Sequence, residues 1–159
     1  MPTKLMQEEL ACNAETLEHI MKVNQFLNMF IVEILKRGQN HDQTKLDHPE
    51  VELFAEETPK LAKLEFGSPE YQESLDALKP ALEHHYAKNR HHPEHYPNGI
   101  SGMTLIDLIE MVCDWKASTF RQHNGNILQS IEKVCEIHNA PEELVQILKN
   151  TVEFFDLTH

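Results

Sequence analysis

Between His84 and Ser118 the chain reads HHYAKNRHHPEHYPNGISGMTLIDLIEMVCDWKAS. Five histidines, His84, His85, His91, His92 and His95, fall within twelve residues. A Pro-Asn-Gly turn follows, then a run in which Asp107, Glu110 and Asp114 stand at i, i+3 and i+7, one face of an α-helix. Neutral imidazole and carboxylate are the ligands that divalent manganese, iron, zinc or cobalt prefers in hydrolytic or oxidative sites. Leu105, Ile109, Val112 and Trp115 fill the other faces of that helix, which is therefore expected to be largely buried. A carboxylate on a buried helix needs a partner. Asp114 is expected to find it in a metal ion, while Asp107 and Glu110 support histidines from behind.

Upstream, His41 and Asp42 are adjacent, and at a helix start two adjacent side chains can converge on one ion. Lys45 completes His-Asp-x-x-Lys and sets an ammonium beside them, where it can hold a substrate phosphate or offset developing negative charge. Asp42 and Lys45 are thus the residues expected to carry catalysis. Glu15 and His19, four apart in a helical stretch, leave one face and can meet one ion. Arg90 offers a guanidinium suited to bidentate phosphate binding. His91, His92 and His95 are expected at the mouth of the pocket, contacting substrate or acting as general acid. His123, His138 and His159 are read as surface residues without a role.

His19, then His41-Asp42 with Lys45, then Asp114 resembles the H…HD…D pattern of the HD-domain metal phosphohydrolase superfamily. The later stretch is similar to a variant of the HD-GYP subfamily: His84-His85-Tyr86, then His95-Tyr96-Pro97, then Cys113-Asp114-Trp115-Lys116-Ala117. The resemblance spans roughly residues 15–118 and implies His19, His41, Asp42 and Asp114 as core metal ligands. It implies Glu15, His84 and His85 as ligands of a second ion. Tyr86 stands where the pattern has glutamate and His95 where it has glycine, so what is implied is an HD-type site with one or two ions. The NRHHPEHY stretch is also similar to a group of small uncharacterised bacterial and phage proteins.

The elements that must position these residues are helical. Strand signals are nearly absent, and apolar residues recur at helical spacing throughout. The spacing predicts helices over 13–37 and 41–46, a helix opened by Pro49 and running to about 64, and one from Ser68-Pro69 to His85 that Pro80 kinks or splits. Residues 89–102 read as an ordered loop. Three further helices are predicted over 105–121, 126–138 and 141–155, the last two packing on the metal-site core. The expected architecture is a single all-α HD-type domain over 1–159, with six or seven helices.

A chain of 159 residues is long enough to bury roughly 70% of its unfolded surface in one domain. Its net charge of −12 excludes nucleic-acid polymers and anionic membrane surfaces as partners, since both are bound through Lys and Arg. A small phosphate substrate is compatible, because a metal brings positive charge of its own. Three scattered cysteines, Cys12, Cys113 and Cys135, point to reduced thiols and a cytoplasmic protein. No apolar run approaches the ~18 residues of a membrane span. Together these features lead to a phosphohydrolase acting on a nucleotide or other small phosphate ester, with manganese, iron, cobalt, magnesium or zinc as cofactor. The other readings are an HD-type di-iron oxygenase and a non-catalytic, metal-stabilised binding protein. Assembly into a homo-oligomer is left open.

Overall fold

The computed structural model describes residues 4–61, 63–64, 68–121 and 125–158. It is all-α, with no strand among the described residues. Six helices follow one another: α1 (Lys4–Asn40), α2 (Glu50–Leu61), α3 (Pro69–Lys88), α4 (Leu105–Thr119), α5 (Ile127–Ile137) and α6 (Glu142–Phe154). Short 3-10 turns at Gln43–Leu46, Pro93–His95 and Gly99–Gly102 link them. The chain divides into two compact units, residues 1–39 and 40–159.

The first unit is α1. It starts at Lys4, well before the expected start at Asn13, and runs past Gly38 to Asn40. Ion pairs at helical spacing brace both ends, Lys4 with Glu8 and Arg37 with Glu33. One interior glycine costs only about 1 kcal/mol in a helix of this length. Its apolar side chains, Leu17, Ile20, Met21, Leu27 and Phe30 among them, are exposed.

In the second unit the α4, α5 and α6 helices close around a core of Val112, Ile127, Ile131, Cys135, Val145, Leu148 and Val152, with Trp115 and Leu144 packed against it. Side chains set the helix starts. Asn126 Oδ1 accepts from the amides of Leu128 and Gln129, and Ser68 Oγ accepts from Tyr71 N. Thr104 and Asp107 form a reciprocal capping box that opens α4. Proline does not split α3, which stays helical on both sides of Pro80 and buries Ser74, Leu78, Ala81 and His85 on one side. One missing amide is a smaller loss than that face would be. Residues 43–46 form a 3-10 turn in place of the short helix expected from His41, because Asp42 sits at φ 55° and breaks the helix there. The second helix ends at Leu61, short of the expected residue 64. No helix among the described residues is long and apolar enough to cross a membrane.

Candidate metal centre

Four segments of the second unit deliver side chains to one place: the turn after α1, the C-terminal half of α3, the loop that follows it, and α4. His85 leaves α3 on its buried side, His91 and His92 come from the loop, and Glu110 and Asp114 come from successive turns of α4. The left-handed backbone at Asp42 turns its carboxylate toward them: Oδ1 lies 3.2 Å from His85 Nε2 and 3.4 Å from His91 Nε2. His41 Nδ1 is 3.0 Å from Glu110 Oε1, and its Nε2 is 3.5 Å from Asp114 Oδ1 and 3.6 Å from Asp42 Oδ2. His92 Nε2 stands 3.0 Å from His85 Nε2.

Three overlapping groups result, each with its donor atoms within 4.8 Å of one another: Asp42, His85, His91 and His92; His41, His91 and Glu110; His41, Asp42 and Asp114. Such a set could hold a metal ion. The chemistry of individual atoms points the same way. His91 is 1% exposed, and its Nδ1 lies 3.1 Å from Glu110 Oε1, yet neither ring nitrogen has a hydrogen-bond partner. Asp42 Oδ1 is a third buried atom without one. Each such atom costs about 1–3 kcal/mol when left dry. Asp42 Oδ1 and His91 Nε2 face each other across 3.4 Å and His91 Nδ1 faces Glu110, so each is an atom that a divalent cation could satisfy.

Protonation follows from the crowding. Hydrogen bonds to Asp114 and Glu110 push His41 up to about 10. Burial, with His91 and His85 close by, pushes His92 down to about 3, so it stays neutral and one ring nitrogen keeps its lone pair available. Burial would raise Asp42, but the neighbouring His85 ring and the Lys45 ammonium outweigh it and hold the carboxyl well below its ordinary range. Asp114 is likewise raised by burial and pulled lower overall by His41.

Behind the donors stands Glu50, fully buried at the start of α2. Its Oε2 accepts from His85 Nδ1 at 2.8 Å and its Oε1 from His84 Nδ1 at 2.7 Å. A carboxylate on Nδ1 fixes the tautomer that leaves Nε2 bare toward Asp42. Burial pushes Glu50 up, while hydrogen bonds from His84, Thr44 and His85 outweigh it and keep it ionised. Asn89 pins the same corner, donating to Thr44 Oγ1 at 2.9 Å and to the His85 carbonyl at 2.8 Å.

The residues expected from sequence divide accordingly. His41, Asp42, His85 and Asp114 come together as ligand candidates, and Lys45 lies beside them with Nζ 2.6 Å from Asp42 Oδ2. His91 and His92, expected at the pocket mouth, fall within the candidate donor groups, because the loop folds inward, burying His91 and half-burying His92. His84, expected as a ligand, turns to Glu50 and joins no group. His95, expected to contact substrate, pairs its Nδ1 with the Tyr86 carbonyl at 2.8 Å. Arg90, expected to grip phosphate, forms a double contact of 3.2 Å with Asp107, and its guanidinium lies over the Tyr96 ring. Asp107 therefore supports an arginine and the Thr104 cap, whereas Glu110 does support histidines, His41 and His91. Glu15 and His19 lie on α1, exposed, and the three groups are built entirely from the second unit. His138 faces Glu94 at 3.6 Å; His123 and His159 lie outside the described residues.

Sequence reasoning missed Glu50, Asn89 and Thr44. A signal for Glu50 exists: Glu50, Phe54, Glu57 and Leu61 stand at i, i+4, i+7 and i+11, so the acid shares its helix face with apolar residues. No curated protein and no solved structure matches the chain. Over residues 8–154 it matches a family described as a family of unknown function, DUF5662, and the chain belongs to that family.

Proposed function

We propose that the chain is a metal-dependent phosphohydrolase of HD type, acting on a nucleotide or another small phosphate ester. The observation that carries the reading is that Asp42 Oδ1 and His91 Nε2, buried and without hydrogen bonds, face each other beside His85 and His92, while His91 Nδ1, equally unpartnered, faces Glu110 in the neighbouring group. Asp42, His85, His91 and His92 would hold one ion, and His41, Asp42 and Asp114 a second. A divalent ion in such a site lowers the pKa of water and polarises a phosphoryl oxygen. Manganese, iron, cobalt, magnesium and zinc all accept this mixture of imidazole and carboxylate.

The chain's own residues supply the rest. Lys45, part-exposed beside Asp42, offers a positive charge to a phosphate oxygen. His41, held protonated by Asp114 and Glu110 without metal, would have to release that proton to solvent in order to serve as a ligand. Glu50 keeps His85 in the donor tautomer throughout.

A second reading, oxidation at a di-iron centre, draws on the four imidazoles among the donors. A mixed-valence signal in electron paramagnetic resonance after anaerobic iron loading would favour it. The direct test of hydrolysis is a panel of nucleotides and phosphate esters assayed with added manganese, cobalt or magnesium. Wild type should turn over at least one of them, and Asp42→Asn should lower that rate by about a thousandfold or more, the scale of a lost electrostatic stabiliser. Activity that survives Asp42→Asn would place the chemistry elsewhere.

A further inference from the structure

The surface of α1 carries a pattern that the metal centre does not use. Leu10, Ala14, Leu17 and Met21 stand four, three and four residues apart. Asn24, Asn28, Ile31 and Leu35 continue the alternation without a break. A strict 3.5-residue repeat is the seam of a coiled coil, and here it covers 26 residues, roughly 39 Å at the α-helical rise. Every residue of the seam is exposed, its large apolar members by 52–70%.

A second stripe, Ile20, Val23, Leu27, Phe30 and Ile34, runs beside the first at the same spacing. Together they make an apolar arc much wider than the ~100° that one neighbouring surface covers. A helix apolar over so much of its circumference is built for more than one partner.

We infer that α1 pairs with α1 of a second copy of this chain along the Leu10–Leu35 seam. The two asparagines argue for a second copy over an unrelated apolar partner. Asn28 Nδ2 donates to Asn24 Oδ1 at 2.7 Å, which leaves the Asn24 amide and the Asn28 carbonyl for a polar partner across the seam. A partner helix carrying the same two residues supplies it. In a parallel pair each asparagine meets its counterpart; in an antiparallel pair Asn24 meets Asn28. Each orientation then has one register that leaves no amide facing an apolar side chain, which is how polar seam residues specify a pairing. A seam of this length buries on the order of 800 Å² per helix, the size of a standard specific interface.

Sedimentation equilibrium of the full chain over a dilution series should report the mass of two chains. Met21→Glu and Ile31→Glu, which put charge in the seam, should each shift it to the mass of one chain with the helical circular dichroism retained. As a measurement that needs no loss of assembly, the double variant Asn24→Cys/Asn28→Cys in a Cys12→Ser/Cys113→Ser background, which removes both exposed thiols, should form a covalent dimer on mild oxidation. Its parent without the two new cysteines should form none. A wild-type chain that is monomeric throughout would overturn the pairing. So would a dimer that survives both seam substitutions and yields no covalent product.

Discussion

His85 and His84 are neighbours in sequence with opposite duties, and Glu50 explains both. It accepts a hydrogen bond from Nδ1 of each ring, leaving His85 Nε2 aimed at Asp42 while His84 stays away from the donor groups. Glu50→Gln should therefore lower metal affinity by about 10–100-fold, the usual effect of losing a carboxylate behind a ligand. His84→Ala should leave the number of ions bound unchanged. Competition with a chelator of known affinity reads both, and full affinity in Glu50→Gln would remove the carboxylate from this role. Lys45 separates binding from chemistry. Lys45→Ala should keep its metal while kcat/KM falls, because an ammonium is not a ligand; metal loss in that variant would contradict its assignment to phosphate. At this scale adjacency and helical spacing pointed to His41-Asp42, His85 and Asp114, which the fold does bring together. The loop residues carry no such local signal. Whether His91 points inward or outward depends on how residues 89–102 fold over α4, and no local spacing encodes that.

The helices place these residues, and one buried network anchors the loop that carries His91 and His92. Asp107 accepts from Arg90, from Tyr96 Oη at 2.7 Å, and from the amide and hydroxyl of Thr104, thereby tying the loop to the start of α4. Burial raises Asp107, but the Thr104, Arg90 and Tyr96 hydrogen bonds outweigh it and hold the carboxyl well below its ordinary 3.8. A depressed folded-state pKa contributes stability that is present above 3.8 and is lost as pH falls through the folded value. Asp107→Asn should cost about 2 kcal/mol at neutral pH, since it removes the charged acceptor that Arg90, Tyr96 and Thr104 share. The gap between variant and wild-type melting temperatures should narrow below pH 3.8, and a gap of constant size would show that the charge of Asp107 is not what stabilises the loop. Helix identity was legible because apolar periodicity and the caps at Ser68, Thr104 and Asn126 are local signals. Boundaries were less so. The early start of α1 and the continuity of α3 through Pro80 depend on length and packing that a short window does not contain.

For the whole molecule, the acidic excess bears on the candidate metal centre. Of the net charge of −12, the formal charges of Asp42, Glu110 and Asp114 are concentrated around His41 and His91, where a divalent cation would offset them. Binding to the folded state alone stabilises it by about 2.7 kcal/mol at a hundred times the dissociation constant. Stripping the protein with a chelator should therefore lower its melting temperature by roughly 10 °C for a unit of this size. Readdition of metal should restore it, and a melting temperature indifferent to chelator would separate the cluster from metal altogether. The family to which the chain belongs carries no assigned function, so the reading rests on the donor set itself. Elemental analysis of protein purified without chelator, wild type beside His91→Ala, decides it. Wild type should hold at least one divalent ion per chain and His91→Ala should lose it, because His91 belongs to two of the three donor groups. Wild type without metal, or His91→Ala as fully loaded as wild type, would contradict the metal centre.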